Sequence, residues 1–361
     1  MKKTIPFLLA MALTAALTGC SGSKPADTAA TAPTTTAAES EAAAATAAEN
    51  ADKAAVTKNA DDDQISVRIG SLKGPTSMGL VHLMDESEAG NTENQYEFTM
   101  VTAADELLGK VVSGNLDIAL VPANVASVLY NKTQGGISVI DINTLGVLDI
   151  VASDTSITSI ADLKGRTVYM TGKGTSPDYV FRYLLSANGM TENDVTIEFK
   201  SEPTEVAAVL KEQPDAIGLL PQPFVTAACA QNEKLSIVLD LTKEWQAVQG
   251  EGGSRLVTGV TIARNEFLEN HPDAITLFLQ EHAASAEYTE TNPDETAELI
   301  AAKGIIEKAP VAKKALPYCN ITCLTGEEMK TALSGYLQVL FDQNPASVGG
   351  KLPEDGFYFL P

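Results

Sequence analysis

Two short loops, one hundred residues apart, repeat the same small polar residues and give the chain its candidate binding chemistry. The first is Lys73-Gly74-Pro75-Thr76-Ser77, and the second is Lys173-Gly174-Thr175-Ser176-Pro177. Both combine glycine, which lets a ligand approach the backbone, with hydroxyl groups that donate hydrogen bonds. Both also precede a predicted helix, whose first N–H groups carry a partial positive charge. The candidate ligand-binding residues are Gly74, Thr76, Ser77, Gly174, Thr175 and Ser176; helix capping alone is the alternative.

A second pair of loops lies at the ends of two other predicted strands. These loops are Pro122-Ala123-Asn124 and Pro221-Gln222-Pro223, in which Asn124 and Gln222 each offer directional hydrogen bonds. Thr144 follows a further predicted strand and adds a hydroxyl group. We therefore add Asn124, Thr144 and Gln222 to the candidate site, with a simple turn residue as the alternative for each.

The cysteines and histidines give little indication of catalysis or metal binding. Cys319 and Cys323 are within reach of a disulfide on a helix or tight loop, but on a strand they would lie about 13 Å apart. No histidine lies near them in the sequence, so no metal site is predicted. The sequence has no Gly-x-Ser-x-Gly or His-Glu-x-x-His motif. We expect a binding protein that is not an enzyme and needs no cofactor.

The elements that must position these loops alternate between strands and helices, which is typical of an α/β fold. The order strand, small-residue loop, helix occurs in both halves, which predicts two similar lobes with mostly parallel sheets. Ligands of open α/β sheets bind outside the carboxyl ends of the strands, where the candidate loops lie. The segment Gly259-Val260-Thr261-Ile262-Ala263 and the helices after it are expected to return to the first lobe. Lobe 1 is predicted at 64–151 and 258–361, and lobe 2 at 152–257.

The N-terminus predicts export and a lipid anchor. Lys2 and Lys3 precede a short apolar run that ends in Leu17-Thr18-Gly19-Cys20. This run is too short for a membrane span but fits a signal peptide at residues 1–20. Its last four residues resemble a bacterial lipobox, in which Cys20 would be lipidated. Residues 21–63 contain 16 Ala and 7 Thr and are predicted to form a disordered tether, because they carry too little apolar surface to fold.

The charge of the chain excludes one class of partner. The net charge is −22, whereas binding to nucleic acid requires a basic surface. An acidic surface that keeps an exported protein in solution explains this balance. We expect a monomer that is held at the cell membrane by its lipid, on the extracytoplasmic side.

Three segments resemble the substrate-binding lipoproteins of ABC importers, in particular the nitrate, sulfonate and taurine group, which also includes binders of thiamine pyrimidines and riboflavin. They are Gly114-Asn115-Leu116-Asp117-Ile118-Ala119, Ile160-Ala161-Asp162-Leu163-Lys164-Gly165-Arg166-Thr167-Val168 and Arg264-Asn265-Glu266-Phe267-Leu268-Glu269-Asn270-His271-Pro272. The resemblance implies a bilobed fold of the periplasmic-binding-protein type II, whose lobes close on a ligand by hinge motion.

The resemblance also implies a function and a partner. A small anionic or polar molecule would be captured between the lobes and delivered to an ABC permease. No arginine lies in the candidate loops to bind a sulfonate or nitrate, so an anion would depend on helix termini and hydroxyl groups. A surface sensor or adhesin that presents a ligand is an alternative function. A pyrimidine synthase on the same fold is another, although its cysteine-rich motif is missing.

Overall fold

The computed structural model describes residues 65–361, which lie within one unit, Asn59–Pro361. Their strands are β1 (Ser66–Leu72), β2 (Gln95–Val101), β3 (Ile118–Pro122), β4 (Ile137–Leu145), β5 (Leu148–Ala152), β6 (Thr167–Met170), β7 (Thr196–Phe199), β8 (Ile217–Pro221), β9 (Ser236–Asp240), β10 (Val257–Arg264) and β11 (Ile321–Leu324). Several are continuous apolar runs, as expected for strands that are covered on both faces.

Most strands are followed by a helix. The helices are α1 (Pro75–Met78), α2 (Val81–Glu88), α3 (Ala104–Val112), α4 (Ala123–Thr133), α5 (Ser176–Ala187), α6 (Pro203–Glu212), α7 (Phe224–Gln231), α8 (Leu241–Gln249), α9 (Asn265–Asn270), α10 (Pro272–Thr291), α11 (Pro293–Ala302), α12 (Ala309–Ala315) and α13 (Gly326–Gln343). Short 3₁₀ turns include Leu316–Tyr318 and Pro345–Val348. None of the helices at 65–361 is both long and apolar enough to cross a membrane.

The first sheet has six strands in the order β11-β4-β10-β3-β1-β2. β1 pairs in parallel with β2 and β3, and β10 returns from the C-terminal part to pair antiparallel with β3 and β4. This return brings α10 and α13 onto the first sheet, where Phe278, Tyr336 and Leu340 are completely buried.

The second sheet has five strands in the order β7-β6-β8-β5-β9. β6 pairs in parallel with β7 and β8, and β5 pairs antiparallel with β8 and β9. Only Gly146 and Val147 separate β4 of the first sheet from β5 of the second. A Cβ atom at Gly146 would collide with Thr242 and Leu256, so this crossing has no room for a side chain.

The α/β class and the two-lobed arrangement are confirmed. The sheets are mixed rather than mostly parallel, because the strands next to the crossings, β5 and β10, pair antiparallel with their neighbours. The predicted boundary at 151/152 falls inside β5, which lies entirely in the second sheet. We therefore place the first crossing between the lobes at Gly146-Val147, between β4 and β5. The other lobe boundaries remain a proposal.

Candidate ligand-binding site

The loop between β1 and α1 directs its hydroxyl groups toward its own chain. Ser77 Oγ donates to the carbonyl oxygen of Leu72 at 2.6 Å and lies 2.7 Å from Ser71 Oγ. Thr76 Oγ1 also donates to the Leu72 carbonyl oxygen, at 3.3 Å. Gly74 has a φ of 153°, in the region that favours glycine. These contacts fix the shape of the first loop but use the hydroxyl groups that the sequence predicted for a ligand.

The loop between β6 and α5 is closed differently. Gly172 and Gly174 have positive φ values of 78° and 72°, and Thr175 Oγ1 donates to the Gly172 carbonyl oxygen at 2.7 Å. The backbone N–H of Gly174 donates to Asp178 Oδ2 at 2.9 Å. Ser176 is the one hydroxyl residue of this loop that reaches the other lobe.

A buried contact joins the two lobes at the starts of α4 and α5. Ser176 Oγ donates to Asn124 Oδ1 at 3.1 Å, and Asn124 Nδ2 donates to the carbonyl oxygen of Ser347 at 3.1 Å. Ser176 is 2% exposed and Asn124 is 1% exposed. Two predicted site residues from different lobes are thus in direct contact, as expected for strand-end loops that face each other across a cleft.

Tyr336 of α13 lies beside this contact and has an unusual environment. Burial raises the pKa of its hydroxyl group, an effect that the neighbouring Ser176 opposes. The hydroxyl group finds no partner with hydrogen-bond geometry among the described residues. Leaving a buried hydroxyl unpaired costs about 1–3 kcal/mol, so this group is a polar point that a ligand could satisfy.

Thr76 and Thr144 meet at Gly259 of β10. A Cβ atom at Gly259 would lie 2.5 Å from Asn143 Oδ1 and 2.7 Å from Thr76 Cγ2, so only glycine leaves the two elements in place. Thr144 Oγ1 donates to Asn143 Oδ1 at 2.9 Å. The two predicted residues therefore lie close together, although the hydroxyl group of each already has a partner in lobe 1.

Gln222 contacts a carboxylate that the sequence analysis missed. Gln222 Nε2 donates to Asp149 Oδ2 at 3.2 Å, and its Oε1 accepts from Thr226 Oγ1 at 2.9 Å. Asp149 of β5 is 7% exposed. Burial, followed by the nearby charge of Asp240, raises the pKa of Asp149 to about 7, although Gln222 opposes the shift. The available signal was a lone charge inside the apolar segment Val147-Leu148-Asp149-Ile150-Val151.

Asp149 lines a cavity of about 380 Å³ between the lobes. Lobe 2 also contributes Asp240 and Lys243, whose Oδ2 and Nζ atoms lie 3.0 Å apart, and the opposite wall includes Pro317 and Tyr318. Gly146, at the crossing between the sheets, also lines the cavity. A small polar molecule in this cavity would contact carboxyl groups, the hydroxyl group of Thr242 and the amide group of Asn320.

The nine predicted residues are only partly brought together. Ser176 joins Asn124, Thr76 lies near Thr144, and Gln222 lies against Asp149, which gives three groups rather than one continuous ring. The remaining contacts lie within single loops. Gly74 and Gly174 provide the positive φ angles of their turns, and Thr175 donates a hydrogen bond within its own loop. Cys20 lies outside the described residues.

Of the two alternatives left open for Cys319 and Cys323, the structure has the one without a disulfide, because both thiols are free. Asn320 turns the chain with a φ of 42°, and Cys323 then lies on the extended strand β11. Cys319 Sγ donates instead to the Ala315 carbonyl oxygen at 3.2 Å. The Cys323 thiol faces His282 of α10, with 3.8 Å between Sγ and Nδ1.

The two lobes and the strand-end loops between them define the periplasmic-binding-protein-like class. A solved ABC transporter structure from Parabacteroides distasonis is similar to this chain, with a TM-score of 0.68 and 22% sequence identity. The match covers 82% of this chain and 99% of that chain. The aliphatic sulphonate binding protein of Escherichia coli gives a TM-score of 0.63 and 18% identity, covering 80% of this chain and 92% of that one. At these identities the likeness shows the fold.

The sequence comparisons are more specific. The family model described as NMT1/THI5 like matches residues 136–296. A protein of Brucella abortus (strain 2308), provisionally named as a binding protein, is 24% identical over 271 residues, which cover 74% of this chain and 79% of that protein. The family model and these structures agree with the resemblance to the binding proteins of the nitrate, sulfonate and taurine group.

Proposed function

We propose that this protein is an extracytoplasmic solute-binding lipoprotein that captures a small molecule between its lobes and delivers it to an ABC importer. The observation that carries the proposal is the buried hydrogen bond between Ser176 and Asn124, which joins the ligand loops of the two lobes. The fold and the family resemblance support the same class. A binding role rather than catalysis, a monomer and a lipid on Cys20 are parts of this proposal.

The contact between the loops suggests how a ligand would act. In the described arrangement Asn124 and Ser176 satisfy each other, so the lobes can approach without a ligand. A solute between them would replace this single hydrogen bond with several and would favour the closed state by its extra affinity for that state. The buried Tyr336 hydroxyl group lies beside Ser176 and would be a further partner for a solute that enters at this contact.

Charge gives a further indication of the ligand. Lys73 and Lys173 occupy matching positions in the two loops and are exposed. Lys173 Nζ lies 5.7 Å from the centre of the Phe199 ring. These two ammonium groups are compatible with an anionic or polar solute and offset the absence of arginine in the loops. The cavity beside Asp149 also offers a carboxyl group, so we propose a solute that carries both acceptor and donor groups.

The proposal is tested by ligand-induced stabilisation of the full chain carrying Cys20→Ala, unfolded and refolded to remove bound solute. Alkanesulfonates, nitrate, carboxylates, pyrimidines, flavins and amino acids are added separately. A solute at 100 times its dissociation constant adds about 2.7 kcal/mol to the free energy of unfolding. We expect one chemical class to raise the melting temperature.

A pair of variants locates the response. Asn124→Ala should abolish the shift in melting temperature, whereas the exposed Val112→Ser, on the far end of α3, should leave it unchanged. A solute that stabilises both variants equally binds elsewhere and contradicts the interlobe site. Failure of every class in the panel, including mixtures extracted from growth medium, contradicts the solute-binding function.

A further inference from the structure

The interior of lobe 1 contains a cluster of three metal-ligand types that are far apart in the sequence. Asp141 lies on β4, His282 on α10 and Cys323 on β11. Their ligand atoms, a carboxylate oxygen, an imidazole nitrogen and a thiol sulfur, all lie within 4.8 Å of one another. Asp141 and His282 are completely buried. We propose that Asp141, His282 and Cys323 form a binding site for a zinc ion.

The distances agree with zinc coordination. His282 Nδ1 lies 3.1 Å from Asp141 Oδ2 and 3.8 Å from Cys323 Sγ. Zinc bonds of about 2.0–2.3 Å in a tetrahedron place nitrogen about 3.3 Å from oxygen and about 3.6 Å from sulfur. Both separations from His282 are within a few tenths of an ångström of these values, and the Asp141 carboxylate and the Cys323 thiol lie within 4.8 Å of each other.

The donor set and its charge select the kind of metal. Sulfur and imidazole nitrogen favour zinc and related transition metals over magnesium or calcium, which prefer oxygen ligands. A divalent ion with one carboxylate and one thiolate has no net charge. This neutrality matters because an uncompensated charge in a buried site is strongly unfavourable.

Neighbouring hydrogen bonds hold the carboxylate in position. Thr261 Oγ1 donates to Asp141 Oδ1 at 2.7 Å, which leaves Oδ2 directed toward His282. Asn143 Nδ2 in turn donates to Thr261 Oγ1 at 3.1 Å. Outer contacts of this kind orient the ligands of metal sites and contribute to their affinity. They also connect the proposed site to Thr144, at the end of β4.

The site would fasten the edge of the first sheet. β11 is a four-residue strand that pairs only with β4 in this sheet, and Cys323 would join it to α10 through the ion. The contribution is structural and does not depend on the proposed solute-binding function. The loops that are proposed to bind the solute do not require the metal. An experiment that contradicts the zinc site would therefore leave the proposed solute-binding function standing, and the reverse also holds.

The test is metal binding by the full chain carrying Cys20→Ala, produced without an affinity tag. Zinc affinity is measured by competition with a coloured chelator, and cobalt(II) is added separately to report on the ligands. We expect one zinc per chain and a near-ultraviolet charge-transfer band from thiolate to cobalt. Cys323→Ser should weaken zinc binding at least tenfold and remove the band.

Two matched controls separate this site from other thiols. Cys319→Ser and Cys229→Ser each remove a free cysteine outside the cluster and should retain both the affinity and the band. Circular dichroism confirms that each variant is folded. The proposal is overturned if the parent chain binds no zinc, or if Cys323→Ser binds it as tightly as the parent. Loss of the band in a control variant would also overturn it, because the thiolate would then be another cysteine.

Discussion

The two ligand loops have similar sequences but different contacts. In lobe 1, the Thr76 and Ser77 hydroxyl groups donate to the backbone of the same lobe. In lobe 2, Ser176 donates across the interface to Asn124. A repeated motif therefore does not fix the contacts of a loop, and the function of each hydroxyl group depends on what the other lobe places opposite it.

The largest effect is expected where the lobe 1 loop contacts its own sheet. Gly259→Val should destabilise the fold by about 3 kcal/mol, because its side chain would displace Thr76 and Asn143 from β10. Urea denaturation measures the change. Gly109→Ala on α3 is the control, since nothing lies within 4 Å of its new Cβ atom and helix propensity should improve. Equal stability of the Gly259→Val variant and the parent would show that the first loop does not depend on this packing.

Removal of the partner in the other lobe should have the next largest effect. Asn124→Ala leaves the Ser176 hydroxyl group and the Ser347 carbonyl group without their buried partner, which should cost about 2 kcal/mol. The same denaturation assay applies. Asn91→Ala removes an exposed asparagine that contacts Glu86 and should change stability by less than about 0.5 kcal/mol. If the two variants lose similar stability, the contact between the lobes is of no energetic importance.

Asp149 allows the lobe 2 side to be tested by pH. Its pKa is raised from 3.8 to about 7, so the folded protein retains a proton that the unfolded chain releases. Stability from this group therefore falls as the pH rises from about 4 to 7. Asp149→Asn should remove this loss and be more stable than the parent at pH 8, by on the order of 2 kcal/mol.

The pH experiment compares urea denaturation at pH 4 and pH 8. The difference between the Asp149→Asn variant and the parent should be much smaller at pH 4, where Asp149 is protonated in the folded protein. The exposed Asp215→Asn is the control and should show little difference between the two pH values. Lower stability of Asp149→Asn than of the parent at pH 8 would contradict the raised pKa.

The smallest changes in stability give the sharpest comparison of the loops. Ser77→Ala and Ser176→Ala each remove one buried hydroxyl group and should cost about 1 kcal/mol. Only Ser176→Ala should also change solute affinity, because only this hydroxyl group reaches the other lobe. Calorimetric titration with the solute found in the stabilisation screen measures this. Equal effects on affinity would mean that the two loops contribute alike.

Local patterns predicted much of the fold. The alternation of apolar strands with helices gave the order of β3, α4, β6 and α5, and the repeated loops gave the ends of the strands that carry Asn124 and Ser176. These patterns do not indicate β11. β11 has four half-buried residues, too few to show a strand period, and its existence depends on pairing with β4.

The contacts of the site could be predicted less well, because they depend on tertiary packing. No local pattern indicates that Ser176 would face Asn124, or that the hydroxyl groups of the first loop would turn inward. His282 is isolated in the sequence, yet α10 places it against Asp141 and Cys323. Burial alone would lower the pKa of His282, but the Asp141 carboxylate raises it above its usual value.

The short crossing between the sheets has a consequence for how a partner would sense the protein. With two residues between β4 and β5, and no space for a side chain at Gly146, this joint has little slack. If the lobes close on a solute as proposed, a joint this short favours rotation of the lobes over sliding. Surfaces far from the cleft would change their mutual angle whenever the lobes close. A transporter that touches both lobes could thus recognise an orientation without ever contacting the solute.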